Sequence, residues 1–216
     1  GQKLAIVGAT GSGKTTVVNL LTRFYDIDGG SITLDGESIY DIPKKKLRGS
    51  IGIVLQDTVI FNDTIMQNIR YGRLDATDEE VIAAAKTAKV ADFAEKMADG
   101  YDTMLTEGGG NVSQGERQVI AIARAVLADP KILILDEATS SIDTRTEVHI
   151  QEAMLALMKG RTSLIIAHRL STIRDADKIV VIDGGKVVEA GNHEKLLSEN
   201  GAYARLYNTQ FAGIKT

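Results

Sequence analysis

Short, nearly continuous apolar runs alternate with amphipathic stretches along most of the 216 residues. Leu4-Ala5-Ile6-Val7, Ile51-Gly52-Ile53-Val54-Leu55, Lys131-Ile132-Leu133-Ile134-Leu135 and Thr162-Ser163-Leu164-Ile165-Ile166 each predict a strand buried on both faces. The stretches between them read as helices. One runs from Thr15 through Leu21, a short basic one covers 43–49, and Asp63-Thr64 caps another ending at Ile69. Thr77-Asp78-Glu79-Glu80 is a capping box opening an Ala-rich helix, with a further helix around 91–97. A long helix over 113–127 is stopped by Asp129-Pro130, and helices follow over 144–158, 193–198 and 202–211. Two hairpins are expected. The first folds around Asp35-Gly36, and the second around Asp183-Gly184-Gly185, between Ile179-Val180-Val181-Ile182 and Lys186-Val187-Val188-Glu189. Gly108-Gly109-Gly110-Asn111 reads as a flexible turn. Buried strands separated by helices predict an α/β fold with a mostly parallel, two-sided sheet.

Composition narrows the function. Twenty-nine acidic and 25 basic residues are interspersed, for a net charge of −4, so no nucleic-acid surface is indicated. The three lysines at 44–46 read as a solvated face. Without cysteine, disulfides and thiolate metal sites are excluded. No apolar run approaches the roughly 18 residues of a membrane span. The chain opens directly on its first strand, without an initiator Met, and is expected to be a single domain cut from a longer protein.

The candidate chemistry gathers where strands end. Gly8-Ala9-Thr10-Gly11-Ser12-Gly13-Lys14-Thr15 fits G-x-x-x-x-G-K-[ST] and lies between a predicted strand and a predicted helix. In that pattern glycines let successive N–H groups point at phosphate oxygens, the lysine reaches the β- and γ-phosphates, and the hydroxyl of Thr15 ligates Mg²⁺. The other buried strands end on Gln56, on Asp136-Glu137 and on His168. Ligands gather beyond the carboxyl ends of parallel strands, so four such residues at four strand ends point to one converging site. Asp136 is placed to hold Mg²⁺, and Glu137 to accept a proton from attacking water. Gln56 suits orienting that water or completing the metal shell, and His168 suits a hydrogen bond to the γ-phosphate. Each also has a plainer reading, Glu137 as an acid at a helix start and His168 as a structural histidine.

Taken together, these residues resemble the ATP-binding cassette (ABC) family. The phosphate loop, Gln56, Val112-Ser113-Gln114-Gly115-Glu116, the strand through Glu137, Ser140-Ser141-Ile142-Asp143 and His168 are similar to its Walker A, Q-loop, signature, Walker B, D-loop and switch motifs, in order. Phe61 to Ile69 and Thr106-Glu107-Gly108-Gly109 resemble segments of cassettes fused to exporter membrane domains. The resemblance implies a P-loop NTPase core, a small antiparallel β-subdomain truncated at its N-terminus, and an α-helical signature subdomain over about 57–128. It implies an ATPase using ATP and Mg²⁺. Gly8, Thr10, Gly11, Ser12, Gly13, Lys14, Thr15 and Thr16 would hold the nucleotide, with Ser113, Gly115 and Asp143 serving the γ-phosphate across a dimer. Thr15, Gln56 and Asp136 would hold the metal, and Glu137, Gln56 and His168 would act in hydrolysis. The implied partners are a second nucleotide-binding domain and a transmembrane domain of the same chain, at the cytoplasmic face of the plasma membrane, powering export.

Two departures stand out. The family's adenine-stacking aromatic lies upstream of Walker A and is not in this chain. The signature carries Val112, Gln114 and Glu116, and Glu116 admits two readings. It forms a capping box with Ser113, or it sets a carboxylate beside the partner's triphosphate and impairs that site. The second reading favours a heterodimer over a homodimer. Two rival functions remain at this point: a soluble cassette ATPase of DNA repair or chromosome maintenance, and a module that binds ATP without turnover. The first usually carries a coiled-coil insertion, and the distance from Gln56 to Ser113 leaves no room for one.

Overall fold

A computed structural model describes residues 1–55, 57–136, 144–167 and 169–210. The chain runs β1 (Lys3–Val7), α1 (Lys14–Leu21), β2 (Thr33–Leu34), β3 (Glu37–Ser38), α2 (Lys44–Gly49) and β4 (Ile51–Val54). It continues through α3 (Ile65–Arg70), α4 (Asp78–Thr87), α5 (Ala91–Ala94) and α6 (Gln114–Ala128) to β5 (Ile132–Asp136). After α7 (Thr144–Met158), β6 (Thr162–Ile166) and α8 (Leu170–Arg174) come β7 (Lys178–Asp183), β8 (Lys186–Gly191), α9 (His193–Ser198) and α10 (Ala202–Gln210). Two compact units share these elements: Gly1–Ile51, Ile132–Glu137 and Thr162–Thr216 form the first, and Gly52–Lys131 and Ala138–Arg161 the second.

In the first unit the sheet order is β5–β6–β1–β7–β8. The first four of these strands are parallel and β8 returns antiparallel to β7. The register sets Ile6 beside Ile166, Asp136 beside Ile166 and Val7 beside Val181. The chain therefore leaves β1 and β5 at one edge of the sheet, at Gly8 and after Asp136. Ile6, Val18, Ile134, Leu164, Ile166 and Ile182 form a buried core that seats α1 on the sheet through Val18. Burying each such side chain contributes about 1.5–3 kcal/mol. The β2–β3 hairpin and α2 close over Ile39, Ile42 and Leu47.

In the second unit α6 packs against α3, α4 and α7. Its start is fixed by Ser113, whose hydroxyl accepts from the Glu116 amide at 3.2 Å while the Glu116 carboxylate accepts from the Ser113 amide at 2.7 Å. The same reciprocal box opens α4 at Thr77 and Glu80. Thr64 caps α3, accepting from the Gln67 amide. Farther along α6, Arg124 donates to the carbonyls of Asn68 and Val59 and to the Asn68 side chain, all within 2.7 Å. Asn68 is fully buried, and its amide donates in turn to the carbonyls of Phe61, Asp63 and Thr64. Burial pushes the Arg124 pKa down, and this network answers three of its five N–H donors.

The elements differ from the sequence expectation in several places. β4 is not buried on both faces: it ends at Val54, which is buried, while Ile53 and Leu55 are exposed. α5 ends at Ala94 rather than near residue 97, because the chain tightens into i→i+3 turns such as Met97 N–H to the Ala94 carbonyl. At Gly108–Gly110, where the sequence suggests a flexible turn, a 3₁₀ turn spans Glu107–Gly109, and Gly109 is buried. Arg117 donates to the Gly109 and Val112 carbonyls, and a Cβ on Gly109 would lie 2.8 Å from the Arg117 side chain. The first hairpin has strands of only two residues, and α8 lies where no helix was expected.

The C-terminal helices dock through one carboxylate and one aromatic cluster. Glu189 on β8 accepts from the Ala202 and Tyr203 amides, capping α10. His193 Nδ1 lies 2.7 Å from the Tyr203 hydroxyl, and its ring packs tilted against Tyr207. Burial pushes Tyr203 up to about 12. Burial and the nearby Arg174 lower the His193 pKa, against a raising effect from Glu194. A histidine depressed in the folded state stabilises above its unfolded value near 6.5, and this contribution is lost as pH falls through the folded pKa. Stability is therefore expected to decline on acidification below pH 6.5, and His193→Phe to flatten that decline. Thermal melts of both proteins between pH 5 and 7.5 check this, and parallel curves would exclude His193 as the titrating group.

Candidate nucleotide-binding site

The chain turns out of β1 so sharply at Gly8 that a side chain has no room. A Cβ there would lie 2.2 Å from the Ile182 carbonyl oxygen and 2.6 Å from Ser12 Oγ. Gly11 and Gly13 adopt φ of 79° and 110°, backbone that favours glycine. The Ser12 amide closes the loop on the Ala9 carbonyl at 3.1 Å, and the Gly185 amide in the β7–β8 turn donates to the Ser12 carbonyl at 3.0 Å.

α1 then begins with Gly13 as its N-cap, so no side chain covers the first-turn N–H groups of Lys14, Thr15 and Thr16. Such orphan donors, together with the helix dipole, form an anion site. Lys14 is 9% exposed, and its ammonium donates to the Gly8 and Ala9 carbonyls at 2.8 and 2.9 Å. An ammonium has three N–H donors, so one remains after those two bonds. Burial pushes the Lys14 pKa down, while the Asp136 carboxylate acts in the opposite direction. Ser12 Oγ is buried without a hydrogen-bond partner. A buried hydroxyl of this kind costs about 1–3 kcal/mol unless something answers it, and the loop is built to receive a group rich in acceptors. The hydroxyl-bearing Thr10, Thr15 and Thr16 are exposed on the same loop and helix start.

The structure thus brings Gly8, Thr10, Gly11, Ser12, Gly13, Lys14, Thr15, Thr16 and Asp136 together in the first unit. Among the described residues no cluster of three or more His, Cys, Asp or Glu forms. A Thr15 hydroxyl and one Asp136 carboxylate suit a divalent ion that keeps waters and takes most ligands from phosphates, as Mg²⁺ does.

Ser113, Gly115 and Glu116 lie in the second unit, at the start of α6. Ser113 is exposed and Gly115 buried. Gly115 and Glu116 line a cleft of about 760 Å³ with Lys89, Asp92, Thr146 and His149. The capping role anticipated for Glu116 is present in full. Gln56, Glu137, Asp143 and His168 lie outside the described residues. Ile182 and Gly185 also shape the loop, yet no motif announced them. Their only sequence signal is the Asp183-Gly184-Gly185 turn.

Comparison with known proteins agrees with this geometry. Residues 1–140 match the family model described as ABC transporter. The chain is 58% identical over 211 residues to the ABC transporter ATP-binding protein YfiC of Bacillus subtilis, covering 98% of this chain and 35% of that protein. It is 54% identical over 213 residues to the ATP-dependent lipid A-core flippase of Hahella chejuensis, covering 98% and 36% respectively. Among solved structures it is similar to a bacterial Atm1-family ABC exporter with ATP bound, with a TM-score of 0.91 and 48% identity. That match covers all of this chain and 38% of the other. The chain therefore spans about a third of the length of the curated relatives it matches.

Lys14→Ala is expected to leave the fold intact, since the side chain fills no apolar core, and to weaken ATP binding at least tenfold, in line with charge-assisted bonds of about 1.5–3 kcal/mol. Calorimetry with ATP and Mg²⁺ measures this, and unchanged affinity would remove the lysine from the site. Fold, phosphate loop and relatives converge on one assignment: the chain belongs to the ABC transporter family.

Proposed function

We propose that this chain is the ATP-hydrolysing cassette of an exporter, working at the cytoplasmic face of the plasma membrane. The buried Lys14 ammonium, set beside the uncapped start of α1 and within electrostatic reach of Asp136, carries the proposal. It is a preformed seat for a triphosphate. The names of the relatives, a flippase and an exporter, support export over a role in DNA repair or chromosome maintenance and over a module that binds without turnover.

In this reading the backbone of 8–16 and the ammonium of Lys14 hold the β- and γ-phosphates, and Ser12 Oγ gains the acceptor it lacks. Thr15, Asp136 and Gln56 would hold Mg²⁺, which when bound neutralises phosphate charge. Glu137 accepts the proton of the attacking water, which Gln56 orients, while His168 holds the γ-phosphate. Ser113, Gly115 and Asp143 serve the nucleotide of a second cassette. A transmembrane domain of the same chain is the other partner. Phe61, Tyr71 and Met104 of the second unit support this as exposed apolar residues, with Phe61 and Tyr71 stacked at 4.1 Å.

A heterodimer is the preferred assembly. Glu116 keeps a carboxylate at the third position of α6. Negative charge there is favourable to the free helix start by about 0.3–1 kcal/mol and correspondingly opposes a phosphate docking on it. A partner with an uncharged signature would leave this chain's Walker A, Asp136 and Glu137 in a competent site.

Two measurements test the proposal. Glu137→Gln should retain ATP and Mg²⁺ binding but lose about 10²–10⁴-fold in turnover, the usual size of a general-base effect. Near-normal phosphate release from that variant would dismiss Glu137 as the base. Glu116→Gln in the complete transporter, expressed as a homodimer, should raise ATPase activity. Equal and robust rates before and after the change would favour the symmetric homodimer and leave Glu116 as a helix cap alone.

A further inference from the structure

The β7–β8 turn makes contacts that its role as a connection does not require. Gly184 and Gly185 both take positive φ, 52° and 75°, and the Gly185 amide donates 3.0 Å across to the Ser12 carbonyl of the phosphate loop. A Cβ added to Gly13 would meet the Gly185 Cα at 3.5 Å and the Ile182 side chain at 3.9 Å, so only about one methyl group of space separates turn and loop there. The Ile182 carbonyl occupies the space beside Gly8. The loop thus rests on the hairpin at both of its ends.

The bond to Ser12 has a directional consequence. A trans peptide is planar, with its C=O and N–H pointing in opposite directions. No described peptide is cis. Fixing the Ser12 carbonyl toward Gly185 therefore fixes the Gly13 N–H away from the hairpin, off the opposite side of the loop. We infer that Gly185 is a positioning residue for nucleotide binding, holding the Ser12–Gly13 peptide in the orientation that offers the Gly13 N–H to phosphate. This rests on the proposal that the loop binds ATP. Without the bond the peptide can rotate, and each turnover of the plane exchanges a donor facing the phosphate for a repelling carbonyl oxygen.

The test compares three variants of the complete chain. Gly185→Val disfavours the left-handed conformation and displaces the amide. Gly185→Asn tolerates that conformation and keeps the amide. Gly184→Val strains the same turn at a residue that gives the loop no hydrogen bond. Calorimetry with ATP and Mg²⁺ should show Gly185→Val about tenfold weaker, while Gly185→Asn and Gly184→Val stay within about twofold of the parent. The amide proton of Gly13, followed by NMR, should lose its ATP-induced shift only in Gly185→Val. Equal weakening in both valine variants would reduce the effect to turn stability and overturn the inference, as would wild-type affinity in a folded Gly185→Val protein. Should Gly185→Val fail to fold, hydrogen exchange on the parent decides: a protected Gly185 amide is required, and rapid exchange there overturns the brace. Absence of ATP binding by the parent itself would instead strike the nucleotide reading, whatever the protection at Gly185.

Discussion

The first unit depends on how the chain leaves β1. That strand lies between β6 and β7, paired in parallel with both, so it cannot shift without breaking two ladders. Its exit is consequently fixed in space, and Gly8 turns against the Ile182 carbonyl where no Cβ fits. From that turn follow the left-handed glycines at 11 and 13, the uncapped start of α1 and the place of Lys14. The same sheet brings Asp136 to the same edge through its register with Ile166. Strand pairing thus brings the helix dipole, the ammonium and the carboxylate to one edge of the sheet.

The second unit solves a different problem, that of holding a helix start in place. The box between Ser113 and Glu116 satisfies two amides that would otherwise lie open, worth about 1 kcal/mol or somewhat more together. Behind it, Arg117 ties the preceding 3₁₀ turn to α6 through the Gly109 and Val112 carbonyls. Farther along, Arg124 and Asn68 join α6 to the start of α3 and to Val59. Breaking the Arg124–Asn68 pair at either member would strand buried polar groups at about 1–3 kcal/mol each. Ser113, Gly115 and Glu116 therefore sit at the start of a helix tied down there and again at Arg124.

Much of this was legible in the sequence where one residue type has one physical use. The glycines of the phosphate loop announce backbone that other residues reject, and the boxes at Thr77-x-x-Glu80 and Ser113-x-x-Glu116 announce helix starts. The apolar runs marked β1, β5 and β6, the central parallel strands, because strands covered on both faces leave few polar positions. The short α8 was not legible: its N-cap Arg169 makes no side-chain capping bond, and five residues carry too little periodicity. Nor was the packing of Arg117 on the Gly108–Gly110 turn, since a run of glycines carries no signal of what lies against it. The partnership of Gly185 with Ser12 is a backbone contact between segments far apart in the chain, which no local pattern encodes. Gln56, Glu137, Asp143 and His168 stand on their motifs alone.

The charge at the centre of the phosphate loop is held by the loop's own carbonyls. Removing an ammonium from water is costly unless its donors are answered, and Gly8 and Ala9 answer two of the three. Those two bonds also pull the first residues of the loop toward Lys14, so the lysine shapes the cradle that it charges. Burial works against the cation and Asp136 works for it. A charge kept in a poorly hydrated seat acts on an anion more strongly than one in bulk water, because less solvent intervenes. The desolvation of the lysine is met when the chain folds rather than when a ligand arrives. What an incoming phosphate must still offset is its own loss of water, against donors already in place.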